Sequence, residues 1–178
     1  MNQATQTLLQ RIERDGHIAG EIISVERFLN HMVDPQLIDL LAAEIAGRFT
    51  AKAIDKILTA ETSGIMLAQA VAGILGISFV YAKKKRPLTM GDHYAAASYS
   101  FTKQESNTLY VSKAVLCAQE RVLFIDDFFA KGSTLKAIEE IVTQAKAMLV
   151  GAAVIINKSD RRDIEAILTL EELRQAKA

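Results

Sequence analysis

The sequence has one cysteine, three histidines, no net charge and no apolar run long enough to span a bilayer, and each scarcity closes a class of function. A single thiol, Cys117, rules out an intramolecular disulfide and fits a reducing compartment. No base stands beside it in a recognisable motif, so it is expected to be a packing residue. His17, His31 and His93 are scattered without metal-ligand spacing, which argues against a structural metal. With 21 basic and 21 acidic residues there is no global field to draw in nucleic acid. The longest apolar run, residues 70–82, contains two glycines and is too short to be a membrane span. The first nine residues are polar rather than leader-like, and a cytoplasmic protein with no membrane partner is expected.

What is present is an ordinary globular composition, half hydrophobic and about a quarter charged, over 178 residues. That length suits one domain, 1–178, able to bury roughly two-thirds of its unfolded surface. The most informative stretch is residues 122–135, VLFIDDFFAKGSTL. Residues 122–125 read as a short buried strand, with Asp126 and Asp127 at its end. A small-residue loop, Ala130-Lys131-Gly132-Ser133-Thr134, then opens a helix whose apolar positions are Leu135, Ile138, Ile141 and Val142. Free N–H groups and the positive end of the helix dipole make such a start an anion site. The alternatives are that Ser133 or Thr134 is a plain N-cap and that the aspartates are solvated strand-end residues. It is not a Walker A loop, whose glycine spacing is absent. Carboxylates repel phosphate, so the acidic pair calls for another task nearby, such as ribose hydroxyls or hydrated Mg²⁺. A sugar phosphate answers both halves.

The rest of the chain repeats this strand–loop–helix logic. Residues 4–15 predict an amphipathic helix, Ile22-Ile23 a short strand, and Phe28-Leu29-Asn30-His31 a turn in which Asn30 is a cap or turn residue. Asp34 and Pro35 predict the cap and first position of the next helix. Residues 54–59 read as a strand, followed by Glu61-Thr62-Ser63-Gly64 and a mostly apolar helix over 65–75, a second candidate anion loop. Residues 77–81 form another strand, which runs into the basic cluster Lys83-Lys84-Lys85-Arg86. That cluster is either a solvated loop or a local neutraliser of phosphate. Residues 88–112 alternate like a two-stranded ribbon with a polar tip at 102–107, either a lid or a static arm. Residues 149–157 predict a last buried strand, and residues 161–178 a short, charged helical tail. Strands alternating with helices predict an α/β fold, a largely parallel sheet flanked by helices.

Residues 122–134 resemble the 5-phosphoribosyl-1-diphosphate (PRPP) signature of type I phosphoribosyltransferases. Phe28-Leu29-Asn30-His31, Glu61-Thr62-Ser63-Gly64, Ser100-Phe101-Thr102-Lys103 and Lys158-Ser159 resemble bacterial xanthine phosphoribosyltransferases, so that the similarity covers roughly residues 8–159. The resemblance implies purine salvage: xanthine and PRPP give xanthosine 5′-monophosphate (XMP) and diphosphate, with Mg²⁺ bound through PRPP. It implies that Ala130, Lys131, Gly132, Ser133 and Thr134 hold the 5′-phosphate and that Asp126 and Asp127 bind ribose hydroxyls. Thr62, Ser63 and Gly64, with Lys83 or a neighbour, would hold the departing diphosphate. Ile23, Asn30 and Lys158 would contact the purine. A hood within residues 1–33 and a closing ribbon carrying Lys103 as a catalytic charge partner complete the picture, and a homodimer is implied. Asp160 stands where the family usually has an aromatic residue, and the tail from residue 160 is shorter than the family's final strand and helix. A transferase for guanine, hypoxanthine, adenine or orotate, and a non-catalytic PRPP sensor of the same fold, are the alternative readings.

Overall fold

The computed structural model describes residues 1–19, 22–100 and 105–175. Helix α1 (Gln3–Asp15) starts where the Asn2 side chain accepts the Thr5 N–H at 2.9 Å, and it buries Leu8, Leu9 and Ile12. A short antiparallel pair, β1 (His17–Ala19) and β2 (Ile22–Ser24), precedes one turn of π-helix (Glu26–Asn30). The expected Phe28–His31 turn is therefore helical, closed by the Met32 N–H donating to the Glu26 carbonyl. Asp34 and Pro35 open α2 (Pro35–Phe49) as predicted, the Asp34 carboxylate accepting the N–H groups of Gln36 and Leu37.

Next come β3 (Lys56–Ala60), α3 (Gly64–Leu75) and β4 (Ser78–Ala82), the first βαβ unit. An antiparallel ribbon, β5 (His93–Ser100) and β6 (Glu105–Ser112), separates it from β7 (Arg121–Phe129), α4 (Ser133–Gln144), β8 (Met148–Asn157), β9 (Glu165–Thr169) and α5 (Leu170–Gln175). Five strands form one parallel sheet in the order β4-β3-β7-β8-β9. Because a parallel sheet is buried on both faces, its central strand reads as a continuous apolar run. In β7, Leu123 and Ile125 join Leu41, Ile45, Leu67 and Val71 of α2 and α3 in one core. Val122 and Phe124 join Ile138 and Ile141 of α4, and Leu109 and Val111 of the ribbon, in the other. Each such buried side chain contributes about 1.5–3 kcal/mol of hydrophobic stabilisation.

Three expectations are corrected. The strand expected over 122–125 runs to Phe129, so Asp126 and Asp127 lie within it rather than at its end. Pairing with β8, as Asp126↔Val154 and Phe128↔Ile156, is what carries it past the acidic pair. The tail is not simply helical: residues 165–169 add the edge strand β9 beside β8, and only Leu170–Gln175 is helix. Burying Ile167 and Leu168 against the first core outweighs the helix propensity of this charged segment. Cys117 is exposed, in the loop between β6 and β7, and its neighbour Leu116 does the packing there.

The ribbon is fastened at its base. Tyr110 and Lys83 exchange backbone hydrogen bonds of 2.9 Å each way, and the Gln144 side-chain amide of α4 donates to the Ala95 carbonyl at 2.8 Å. The candidate Lys103, with Phe101, Thr102 and Gln104, lies outside the described residues.

Candidate active site

In a parallel sheet the loops after the strands gather at one edge, and both anion loops here follow adjacent strands, β3 and β7. The first loop is built by the end of β7. Its two carboxylates are held by the backbone that follows them: the Asp127 N–H donates to Asp126 Oδ1 at 3.0 Å, and the Phe128 N–H to Asp127 Oδ1 at 2.9 Å. Asp127 is buried, with 8 % of its surface exposed. The Asp126 carboxyl is pushed well above the usual carboxylate range, first by burial and then by the neighbouring Asp127 charge, while Lys84 pulls the other way.

Beyond the strand, Gly132 is the N-cap of α4, in the left-handed region at φ 75°. Gly132 has no side chain to cap this helix, contrary to the simple reading of Ser133 or Thr134 as an N-cap. Its first turn is thus left with backbone donors for a ligand. Asp126, Ala130, Lys131, Gly132, Ser133 and Thr134 line a cleft of about 130 Å³ at this point, together with Phe128 and Phe129.

The second loop is joined to the first by close packing. The start of α3 is so near β7 that a Cβ on Gly64 would lie 2.7 Å from Asp126 Oδ1. Before Gly64, the Glu61–Thr62 peptide is cis, and Ser63 caps α3 without a side-chain hydrogen bond. Thr62 and Ser63 face a cleft of about 420 Å³ shared with Glu26, Asn30, His31 and Lys84. Asn30 therefore shares a cleft with the second candidate loop.

The remaining candidates are dispersed. Ile23 is buried, pairs with Ile18 and belongs to the first core. Lys158 follows β8 and is drawn beside the first loop by its N–H, which donates to the Phe129 carbonyl at 2.7 Å. Lys83 has its ammonium 4.8 Å over the Tyr81 ring and 3.9 Å from Glu61, whereas its neighbour Lys84 lines the larger cleft. Phe129 also lies under the Arg161 guanidinium, which is ion-paired to Asp163.

Residues 24–167 match the model of the phosphoribosyl transferase domain family. A xanthine phosphoribosyltransferase of Heliobacterium modesticaldum is 44% identical over 158 residues, covering 88% of this chain and 84% of that protein. One of Geobacillus thermodenitrificans is 43% identical over 154 residues, covering 85% and 79%. The chain belongs to the phosphoribosyltransferase family, in the branch of the xanthine phosphoribosyltransferases.

Solved structures agree on the fold of this phosphoribosyltransferase. An adenine phosphoribosyltransferase of Rhodothermus marinus superposes with a TM-score of 0.72 at 21% identity, covering 93% of this chain and 99% of that one. One of Leishmania donovani gives 0.75 at 16% identity, covering 96% and 81%. The fold thus brings the loop after β3 and the loop after β7 to neighbouring strand ends, with Asp126 against Gly64 and Asn30 sharing a cleft with Thr62 and Ser63.

Sequence reasoning singled out both loops but not Glu26, and for the second loop it gave Lys83 or a neighbour, of which Lys84 lines the cleft. The signal for Glu26 was its spacing: residues four and five apart share a face of a helical turn, which groups Glu26 with Asn30 and His31. No sequence pattern separates Lys83 from Lys84, because the choice depends on how β4 ends.

Proposed function

We propose that this pentosyltransferase moves the 5-phosphoribosyl group of PRPP onto xanthine, releasing XMP and diphosphate in a purine-salvage reaction. The observation that carries the reading is the approach of Gly64 to Asp126, which sets two anion loops on either side of an acidic pair. Two such loops about a carboxylate suit a ribose with phosphate at one end and diphosphate at the other. The relatives named for xanthine supply the base.

In this reading the loop Ala130–Thr134 holds the 5′-phosphate with backbone N–H groups, and Asp126 and Asp127 accept hydrogen bonds from the ribose hydroxyls. Thr62, Ser63 and Gly64 hold the diphosphate, with Lys83 and Lys84 neutralising it. Asn30 and Lys158 orient the purine, Ile23 backs that end of the hood, and Lys103 serves as a charge partner in catalysis.

Departure of diphosphate leaves an oxocarbenium-like ribose, so the protein's work is positioning, electrostatic stabilisation and exclusion of water. The nearby carboxylates favour the positive charge that develops there. Among the described residues no group of three or more His, Cys, Asp or Glu could hold a metal by itself. The Asp126 carboxyl, which lines the cleft with the Ala130–Thr134 loop, fits a cation that arrives on PRPP. Mg²⁺ bound with PRPP would supply further neutralisation of the leaving diphosphate. A cytoplasmic homodimer, with neither nucleic acid nor membrane as partner, completes the proposal. Among the described residues no helix is long and apolar enough to cross a membrane.

The test is a panel of xanthine, guanine, hypoxanthine, adenine and orotate, each with PRPP and Mg²⁺. XMP and diphosphate are expected as the main products. Preference for another base would move the assignment within the family, and no product with any base would overturn it.

A further inference from the structure

Glu61 is an acidic side chain at the mouth of a loop read as a diphosphate site, where its charge opposes the ligand. Its contacts show what offsets that repulsion. Strands β3 and β4 end side by side at Ala60 and Ala82, and the Glu61 N–H donates to the Ala82 carbonyl at 3.0 Å. From there its carboxylate reaches across to the other strand end. Oε2 accepts the Lys84 N–H at 2.8 Å, and Oε1 lies 3.9 Å from the Lys83 ammonium. Lys83 is meanwhile tied to Tyr110 through its own backbone, so the Lys83–Lys84 corner is pinned from two sides. Lys84 then shares a cleft with Thr62 and Ser63, the two residues that follow Glu61.

We infer that Glu61 is a positioning residue of the diphosphate site, which locks the Lys83–Lys84 corner to the Thr62–Ser63 loop before the ligand arrives. The inference rests on the PRPP reading given above. Without this anchor the two lysines must be ordered at the moment of binding, at a cost in affinity. The polyanion, being the stronger acceptor, then draws the Lys83 ammonium away from Glu61, while the Lys84 N–H bond stays.

The inference separates the carboxylate's charge from its hydrogen bond. Glu61→Gln keeps an acceptor for the Lys84 N–H, whereas Glu61→Ala removes it and Glu61→Asp shortens it out of reach. Binding of Mg²⁺-diphosphate and of PRPP by calorimetry, with KM for base and PRPP, reads the difference. Glu61→Ala and Glu61→Asp are expected to weaken diphosphate and raise the PRPP KM about tenfold, with the base KM unchanged. Glu61→Gln is expected to stay within about threefold of wild type. Should Glu61→Ala lose its fold, the Gln and Asp variants carry the same comparison.

Wild-type or tighter diphosphate binding in the Ala or Asp variant would overturn the inference, since the carboxylate would then only repel. So would a Gln variant no better than Ala or Asp, or a base KM rising in step with that of PRPP. A wild-type protein that binds neither diphosphate nor PRPP would instead refute the functional reading itself.

Discussion

Gly64 fits against Asp126 with no room for a side chain: a Cβ on Gly64 would stand 2.7 Å from Asp126 Oδ1, 3.2 Å from its Cα and 2.4 Å from Thr59 Oγ1. Two short side chains, one of them the buried Thr59, and the Asp126 backbone crowd the position together, so turning one side chain does not relieve it. Gly64→Ala is therefore expected to push α3 off β7, costing about 1–3 kcal/mol of stability. The PRPP KM should rise with it, because both anion loops move. Urea unfolding and PRPP kinetics on the same preparation check the two effects together.

Gly132 makes a different demand. Its φ of 75° suits glycine, and a Cβ there would meet the Phe129 ring at 2.9 Å. Gly132→Ala is expected to cost about 1–2 kcal/mol from the left-handed backbone alone. It should also weaken binding of ribose 5-phosphate, which in the proposed mode reaches this loop and the acidic pair but not the diphosphate loop. Unchanged affinity for that ligand would mean that the α4 N-terminus does not hold the 5′-phosphate.

Asp126 offers a prediction about pH. Burial and the Asp127 charge raise its folded pKa above the unfolded value, so the folded state holds this proton more tightly. Its contribution to stability is fully present below the unfolded pKa and is lost as pH rises through the folded one. Asp126→Asn is accordingly expected to be more stable than wild type at neutral pH in the absence of ligand. The gap should close as the solution is acidified and the wild-type carboxyl takes up its proton. PRPP affinity of the same variant should fall about tenfold or more, through lost charge-assisted hydrogen bonds to the ribose. Melting curves across pH, with and without PRPP, test stability and binding separately.

At the other end of the site, Asp160 is exposed just beyond Lys158. In the proposed mode a carboxylate there gives the purine no stacking surface. Asp160→Tyr is expected to lower the KM for the base several-fold, in line with about 0.5–1.5 kcal/mol for an aromatic contact. The KM for PRPP should not move. A base KM unaffected by Tyr would place the purine away from this edge.

Much of this protein was legible in the linear sequence because its signals are local. Apolar runs of residues 122–125 and 149–157 mark strands buried on both faces, and Asp34-Pro35 marks the start of α2. The run from Asp126 to Thr134 carries its chemistry within nine consecutive residues, so both its carboxylates and its helix start could be read directly. What tertiary structure decided are the choices that depend on a neighbour. Residues 165–169 became a strand because β8 had an open edge; set within a charged tail, their sequence EAILT did not separate strand from helix. β8 likewise carried β7 through the acidic pair and half-buried Asp126, raising its pKa. Leu116 rather than Cys117 turned inward, and Lys84 rather than Lys83 reached the larger cleft. The contact that makes one site of two loops, Gly64 against Asp126, joins residues 62 positions apart. Sequence alone supplied the two candidate loops; the order of strands in the sheet brought them together.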